Sequence, residues 1–147
     1  MEFNPDKVRK IISEILSALE RLEDLKRLTE KEFISDPHRV GSAKYSLIVA
    51  IEGAVDLCNH IISKNGFRAP EDYADTFRVM MERGAFEAEF TQTLIQMAKF
   101  RNRLVHIYWD IDDLEMYKII QTRLDDIKRF LTVFGAFIGG GGNRNLA

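Results

Sequence analysis

Apolar residues recur at spacings of three and four along most of the chain, the periodicity of a helix with one buried face. The first stripe runs from Val8 to Leu22, after "NPD", whose asparagine can cap a helix. It predicts a helix of roughly 25 residues. The second stripe extends from about residue 42 to Lys64. It follows "SDPHRVGS", where Pro37 and Gly41 are expected to interrupt the helical pattern.

Three further helices are predicted in the second half of the chain. A short one covers about 73–83 and ends before Gly84, and a fourth begins near Glu87 and continues into "MAKFRNRLVHIYWD". The aspartates of "WDIDD" suit a helix cap. After them, apolar residues recur every three or four positions as far as Phe134 and form a narrow apolar seam along one face of a single helix. No stretch of useful length alternates as a strand would.

The pattern as a whole predicts an all-α fold. We expect an up-and-down bundle of four main helices plus one short helix. Residues 1–138 would form a single domain, and residues 139–147, which include "GGGG", a flexible tail.

Composition limits the possible partners. The chain has 147 residues, of which 46% are hydrophobic, so it can build a core. Its 21 basic and 23 acidic residues give a net charge of −2, so any anionic ligand must be held locally and DNA is not an expected partner. No apolar run approaches the length of about 20 residues that spans a bilayer, and the N-terminal residues have no apolar segment of the kind expected of a signal peptide. We therefore expect a cytoplasmic protein without membrane contact, whose single cysteine, Cys58, is a buried thiol.

The segment "RNRLVHIYWD" places polar chemistry inside an apolar pattern. Arg101 falls within the apolar stripe, where a permanent charge is costly unless a carboxylate or phosphate meets it. Tyr108 shares that face if the helix persists so far. His106 lies five residues after Arg101, about 140° around a helix, so both could approach one ligand only from a groove edge or across a dimer interface.

The second long helix offers a possible complement. Glu52, Asp56 and His60 are spaced four apart and form a polar stripe. This stripe could pair with Arg101 across the bundle or face water. It matches a metal-ligand set only loosely, so neither a metal nor a cofactor is expected.

The string "RNRLVHIY" resembles the R-x-x-x-x-H-x-Y motif of HepT-like toxins, in the HEPN superfamily of all-α ribonucleases. The similarity extends through "IVAIEGAVDLCNHIISKNGFRAPEDYADTF" and "WDIDDLEMYKII", so that it covers roughly residues 42–135. It implies a homodimer in which two motif segments face each other across a cleft, and RNA cleavage without a metal.

The resemblance also assigns expected roles to the cluster. His106 would move protons and Arg101 would neutralise charge on the scissile phosphate. Asn102 would orient the phosphate or the histidine, and Lys99 and Arg103 would supply a basic patch for RNA. The expected products are a 2′,3′-cyclic phosphate, or the monoester derived from it, and a 5′-hydroxyl.

In HepT-like systems the companion antitoxin is a minimal nucleotidyltransferase that adenylylates the motif tyrosine. Tyr108 would be that residue here, and this chain the toxin of a type II/VII-like toxin–antitoxin pair.

Two alternatives remain open at this point. The chain could be a non-catalytic helical module that binds a nucleotide or a nucleotidyltransferase. Alternatively, Arg101 could serve only as a structural tie to Glu52 or Asp56.

Overall fold

A computed structural model describes residues 1–140, with Tyr108 represented by its backbone alone, and within this range the chain is all-α, as predicted. The described part of the chain contains seven α-helices and one 3-10 turn, at Tyr108–Asp110. The α-helices are α1 (Pro5–Lys26), α2 (Glu30–Ile34), α3 (Pro37–Lys64), α4 (Tyr73–Glu82), α5 (Ala88–His106), α6 (Asp113–Thr122) and α7 (Leu124–Gly139).

Helix α3 is the centre of the bundle. It contacts every other α-helix of the described chain, and α1 packs along it most extensively. Its buried residues point in several directions and extend from Val40 to Ile62, as expected of a helix surrounded by others. Gly53 brings α1 close, because a Cβ at this position would lie 2.6 Å from Cγ1 of Ile15.

The start of α3 corrects one expectation. The segment "SDPHRVGS" does not separate helices over its whole length, because α3 begins at Pro37 and contains Gly41. Asp36 caps the helix by accepting a hydrogen bond from the His38 N–H, and proline is well tolerated in a first turn. The short helix α2 was not predicted. Its N-terminus is stabilised by a capping box between Thr29 and Glu32.

The last predicted helix is in fact two. Helix α6 ends at Thr122 and α7 begins at Leu124, with Arg123 between them at φ −116° and ψ −3°. The apolar seam nevertheless stays on the core side, since Ile120, Leu124 and Ile127 are all buried. Helix α7 continues to Gly139, and the remaining predicted tail, residues 141–147, lies outside the described residues.

Helix α3 also corrects the expectation that no segment is long and apolar enough to cross a membrane. Its 28 residues include a window with a mean hydropathy of 1.4. However, 67% of that window is buried against the rest of the protein, which is typical of the core helix of a bundle. Length and composition alone are therefore weak evidence for a membrane span.

A network of ion pairs fixes α4 against the loop that precedes it. Arg68 donates to both carboxylate oxygens of Asp75, at 2.7 and 3.1 Å, and also pairs with Glu82. The Glu71 N–H adds a third hydrogen bond to Asp75, whose side chain is only 10% exposed. These bonds hold the pKa of Asp75 at about 2, below its ordinary value. The first turn of α4, which carries Tyr73, is thereby anchored.

We expect Asp75→Asn to lower the free energy of unfolding at pH 7 by about 1–2 kcal/mol, because Arg68 loses a charged acceptor. The pKa of Asp75 is depressed in the folded state, so the unfolded chain binds more protons as the pH falls. The stability that Asp75 contributes is thus complete above about pH 4 and is lost toward pH 2. Urea unfolding at several pH values should show the variant and wild type converging in this window.

Asp24→Asn is the matched control, because Asp24 pairs with Arg27 in an exposed position. We expect it to change stability by a few tenths of a kcal/mol at most. A difference between Asp75→Asn and wild type that stays constant from pH 7 to pH 2 would contradict this account of α4.

Candidate active site at the end of helix α5

Arg101 lies near the end of α5 and points inward, toward α3 and α4. Its side chain is 14% exposed. Nε donates to Oε1 of Glu52 at 3.0 Å, Nη2 donates to the same oxygen, and Nη1 donates to Oδ1 of Asn102 at 3.1 Å. The carboxylate expected to meet this charge is therefore Glu52.

The aromatic ring of Tyr73 completes the surroundings of Arg101. The guanidinium carbon lies 4.6 Å from the ring centroid, a distance at which the charge is attracted by the face of the ring. Tyr73 is the first residue of α4, directly after its cap, Asp72. Tyr73 could not be recognised as part of the site from the sequence, because a tyrosine in a first helical turn gives no signal of a partner in another helix.

The hydrogen bonds of Arg101 leave part of the guanidinium unused. This group has five N–H donors, and the contacts to Glu52 and Asn102 use three of them. One N–H on Nη1 and one on Nη2 have no acceptor among the residues that the structure describes. A phosphate oxygen that reached the end of α5 could accept both, while Glu52 and Tyr73 keep the guanidinium plane in place.

His106 is the last residue of α5 and is exposed to solvent. It does not lie beside Arg101, because five residues rotate the helix by about 140°. Within one protomer, α5 thus presents Arg101 toward α3 and α4 and His106 toward the outside. No hydrogen bond joins His106 to any side chain that the structure describes, so its imidazole is available to a ligand.

The two residues predicted to contact RNA differ in their surroundings. Arg103 donates to both carboxylate oxygens of Glu115, at 2.8 and 3.1 Å, and to Asp110 at 3.1 Å. These carboxylates raise the pKa of Arg103 and balance its charge. Lys99 is exposed and has no ion pair with the described residues, so it is the freer cation of the two.

The polar stripe on α3 divides into two environments. Glu52 reaches Arg101, whereas Asp56 and His60 line a polar cavity between α1 and α3. Partial burial, followed by the charge of Glu52, raises the pKa of Asp56. Nε2 of His60 accepts a hydrogen bond from the Asn4 N–H at 2.9 Å, and burial lowers the pKa of His60. His60 therefore secures the start of α1, and no hydrogen bond joins the predicted supporting residue Asp56 to Arg101 in the described part of the chain.

Helix α5 does not persist to Tyr108, so this tyrosine does not share the helix face of Arg101. Helix α5 ends at His106, Ile107 follows as its cap, and Tyr108 begins the 3-10 turn. The tyrosine backbone is thus placed two residues beyond the histidine, outside the stripe of α5. Its side chain lies outside what the structure describes, and its predicted modification stays a prediction.

Two other expectations concern metals and thiols. Residues 1–140 contain no group of three or more His, Cys, Asp or Glu side chains placed to hold a metal ion. Cys58 is fully buried, as predicted, and burial raises the pKa of its thiol well above the ordinary value. A thiol in these surroundings belongs to the core and is a poor nucleophile.

Comparison with known proteins supports the resemblance of the motif. The model of the HepT-like ribonuclease family matches residues 15–134. A protein of Archaeoglobus fulgidus named as an RNase is 27% identical over 113 residues, which cover 77% of this chain and 80% of that protein. The mRNA nuclease HepT of Shewanella oneidensis is 25% identical over 85 residues, covering 58% of this chain and 64% of that nuclease.

A solved structure shares the fold. The tri-AMPylated HEPN toxin of Shewanella oneidensis, determined in complex with the MNT antitoxin, superposes with a TM-score of 0.80. The superposition covers 88% of this chain and 96% of the toxin, at 22% sequence identity. The family match extends from α1 into α7 and includes the whole motif helix. The chain belongs to the HepT-like ribonuclease family.

Proposed function

We propose that this chain is a metal-independent endoribonuclease and the toxin of a toxin–antitoxin pair. The observation that carries the proposal is the arrangement at the end of α5. There Arg101 is held by Glu52 and Tyr73, and two of its N–H donors have no acceptor in the described part of the chain. His106 is exposed at the same helix end. One group can bind a phosphate and the other can move a proton, and these are the two requirements for cleaving RNA through its own 2′-hydroxyl.

A second copy of the chain completes the proposed site. Within one α5 the side chains of Arg101 and His106 point in directions about 140° apart, so both cannot contact the same phosphate. Two α5 ends facing each other would place an arginine and a histidine from different protomers on either side of a strand. The exposed apolar residues Val105, Ile107 and Trp109, which are 38%, 40% and 73% exposed, lie next to the motif and could contribute to such an interface.

The proposed reaction needs only RNA, the side chains of the protein and water. A histidine in its neutral form accepts the proton of the ribose 2′-hydroxyl, and the 2′-oxygen attacks the adjacent phosphorus. The bond from phosphorus to the 5′-oxygen breaks, and that oxygen takes a proton from a protonated histidine or from water. Arg101 stabilises the charge on the phosphoryl oxygens, with Asn102 next to it.

The ends of the cleavage products test this chemistry. Purified protein, checked by intact mass, should cut single-stranded regions of tRNA or mRNA and leave a 5′-hydroxyl and a 2′,3′-cyclic phosphate or its monoester. Mass spectrometry of the fragments distinguishes these ends. Products that carry a 5′-phosphate and a 3′-hydroxyl would contradict attack by the 2′-oxygen.

The antitoxin partner is proposed by similarity to the Shewanella oneidensis toxin, whose structure carries AMP groups and an MNT antitoxin. Tyr108 stands two residues after His106, at the start of the 3-10 turn. Adenylylation there would add negative charge beside a site that must bind phosphate, and would repel RNA.

We expect the wild-type chain to gain mass in steps of one AMP when it is incubated with ATP and an MNT-type nucleotidyltransferase. Tyr108→Phe should gain none and should still cleave RNA, because the phenolic oxygen is the acceptor. Tyr45→Phe is the matched control, since Tyr45 is 63% exposed and lies on α3, and it should be modified like wild type. Modification of Tyr108→Phe to the wild-type extent would contradict this assignment.

One observation favours the non-catalytic alternative. Arg101 and Arg103 both have carboxylate partners within the chain, which reduces the positive charge available to RNA. A module that binds a nucleotide or a nucleotidyltransferase would need less charge than an enzyme that binds a polyanion. Under this alternative Arg101→Ala would lose affinity for a nucleotide, but no RNA would be cut.

A further inference from the structure

A groove runs along α5, between this helix and the pair α6–α7. Its volume is about 550 Å³, within the range of small-molecule sites in proteins. Leu47 and Ile51 of α3 form its floor, and Met97, Phe100 and Ile119 contribute apolar walls. Neither Arg101 nor His106 lines it.

Four of the six charged side chains that line this groove form ion pairs with one another. Arg103 pairs with Glu115, and Arg123 lies 3.6 Å from a carboxylate oxygen of Asp126. A groove with apolar walls and paired charges suits an uncharged ring better than a phosphate chain. Gln96 also lines the rim, and its amide can both donate and accept hydrogen bonds, as the edge of a nucleobase requires.

The groove lies on the same side of α5 as the proposed catalytic histidine. Lys99 lines the rim and has no ion pair with the described residues. His106 follows seven residues later, and two turns of helix bring it to within about 20° of the direction of Lys99 and about 10 Å further along the axis. The groove, an unpaired cation and the histidine thus follow one side of α5.

We propose that this groove binds a nucleobase of the RNA substrate near the phosphate at which His106 acts. The inference rests on the proposed ribonuclease function and adds a specificity site to it. The base packs between Phe100 and Met97, the amide of Gln96 contacts its edge, and Lys99 pairs with a neighbouring phosphate.

Gln96→Trp tests the proposal, because residue 96 is exposed and an indole there can cover the groove without disturbing the core. The full chain is used with His106→Ala, so that RNA is bound and not cut. The probes are a fluorescein-labelled single-stranded oligoribonucleotide and the same oligomer with abasic riboses. We expect Gln96→Trp to weaken binding of the first probe by about fivefold or more in fluorescence anisotropy, and to leave the abasic probe unchanged.

Thr132→Trp is the control, because residue 132 is exposed on α7 and does not line the groove. Equal affinity of Gln96→Trp and Thr132→Trp for the first probe would overturn the proposal. An equal loss for both probes would also overturn it, since it would mean that the groove follows phosphates. A change in sedimentation with unchanged RNA affinity would make the groove a protein interface and equally overturn it.

Cleavage by proteins with an intact His106 reports on the proposed function separately. If wild type cuts RNA while Gln96→Trp binds and cuts as wild type does, the ribonuclease stands and the base site fails. If wild type cuts no RNA but binding still depends on the bases and on Gln96, the ribonuclease fails and the groove stands as a nucleobase site.

Discussion

His106→Ala is expected to reduce RNA cleavage by about 10²–10⁴-fold, the range lost when a positioned acid or base is removed. The fold should be unaffected, because His106 is exposed at the end of α5 and makes no hydrogen bond with the side chains that the structure describes. Cleavage rates of wild type and variant on one labelled RNA, together with their melting temperatures, measure both effects.

His38→Ala is the matched control. His38 is also exposed, but it lies in the first turn of α3 and not on the motif helix. It should cleave RNA at the wild-type rate. If His106→Ala also cleaved at that rate, His106 would have no part in the chemistry, and a contaminating nuclease would be the first explanation to exclude.

Arg101→Ala is expected to lower cleavage by about 10²–10³-fold, the loss typical of removing one charge-stabilising donor group. It should also lower the free energy of unfolding by about 1–2 kcal/mol, because Glu52 would lose its partner. The stability effect is smaller than for a fully buried pair, since the Glu52 side chain is 37% exposed and water can solvate it. Thermal unfolding and cleavage rates provide the two readouts.

Combining Arg101→Ala with Glu52→Gln separates the two roles of the arginine. The double variant removes the unpaired carboxylate, so we expect it to recover most of the lost stability and none of the lost activity. Recovery of cleavage together with stability would mean that Arg101 acts only as a tie between α3 and α5, the structural reading of this pair. Arg101→Lys should restore part of the charge but not the planar contact with Tyr73 and Glu52.

Much of the fold could be predicted from local signals in the sequence. The caps provided by Asn4 and Asp112 are present as expected. Asn65 follows the end of α3 as its cap, and Gly66 has the positive φ of 65° that a glycine after a helix end allows. The bounds of α4 and the start of α5 also agree with the apolar periodicity. These features depend on interactions within a few residues, which one sequence contains.

Features that depend on contacts between distant helices could not be predicted in the same way. Pro37 can follow the end of one helix or begin another, and the sequence does not distinguish these two positions. In the folded chain Pro37 begins α3. No proline or glycine lies at the break at Arg123, and the residues on either side keep the periodicity of a single helix. This break therefore has no signal in the sequence. Packing around α3 also decided which residues of its polar stripe meet Arg101.

The site shows the same division between local and distant contacts. The helical periodicity of apolar residues indicated that Arg101 is a buried charge that needs an anion. Glu52 supplies that anion within the chain. The sequence could not reveal that Tyr73 covers the guanidinium or that Glu115 and Asp110 occupy Arg103, since these partners come from other parts of the chain. These two carboxylates reduce the charge that Arg103 can offer to RNA.

Metal-independent cleavage of RNA can be measured by incubating the unmodified wild-type protein with tRNA and mRNA in an excess of EDTA. Intact mass should first establish that Tyr108 carries no added nucleotide, and sedimentation that the protein is dimeric. We expect RNA to be cleaved at the same rate with and without EDTA. Intact RNA after incubation with unmodified, dimeric protein would contradict it and would favour a module that binds nucleotides without cutting them.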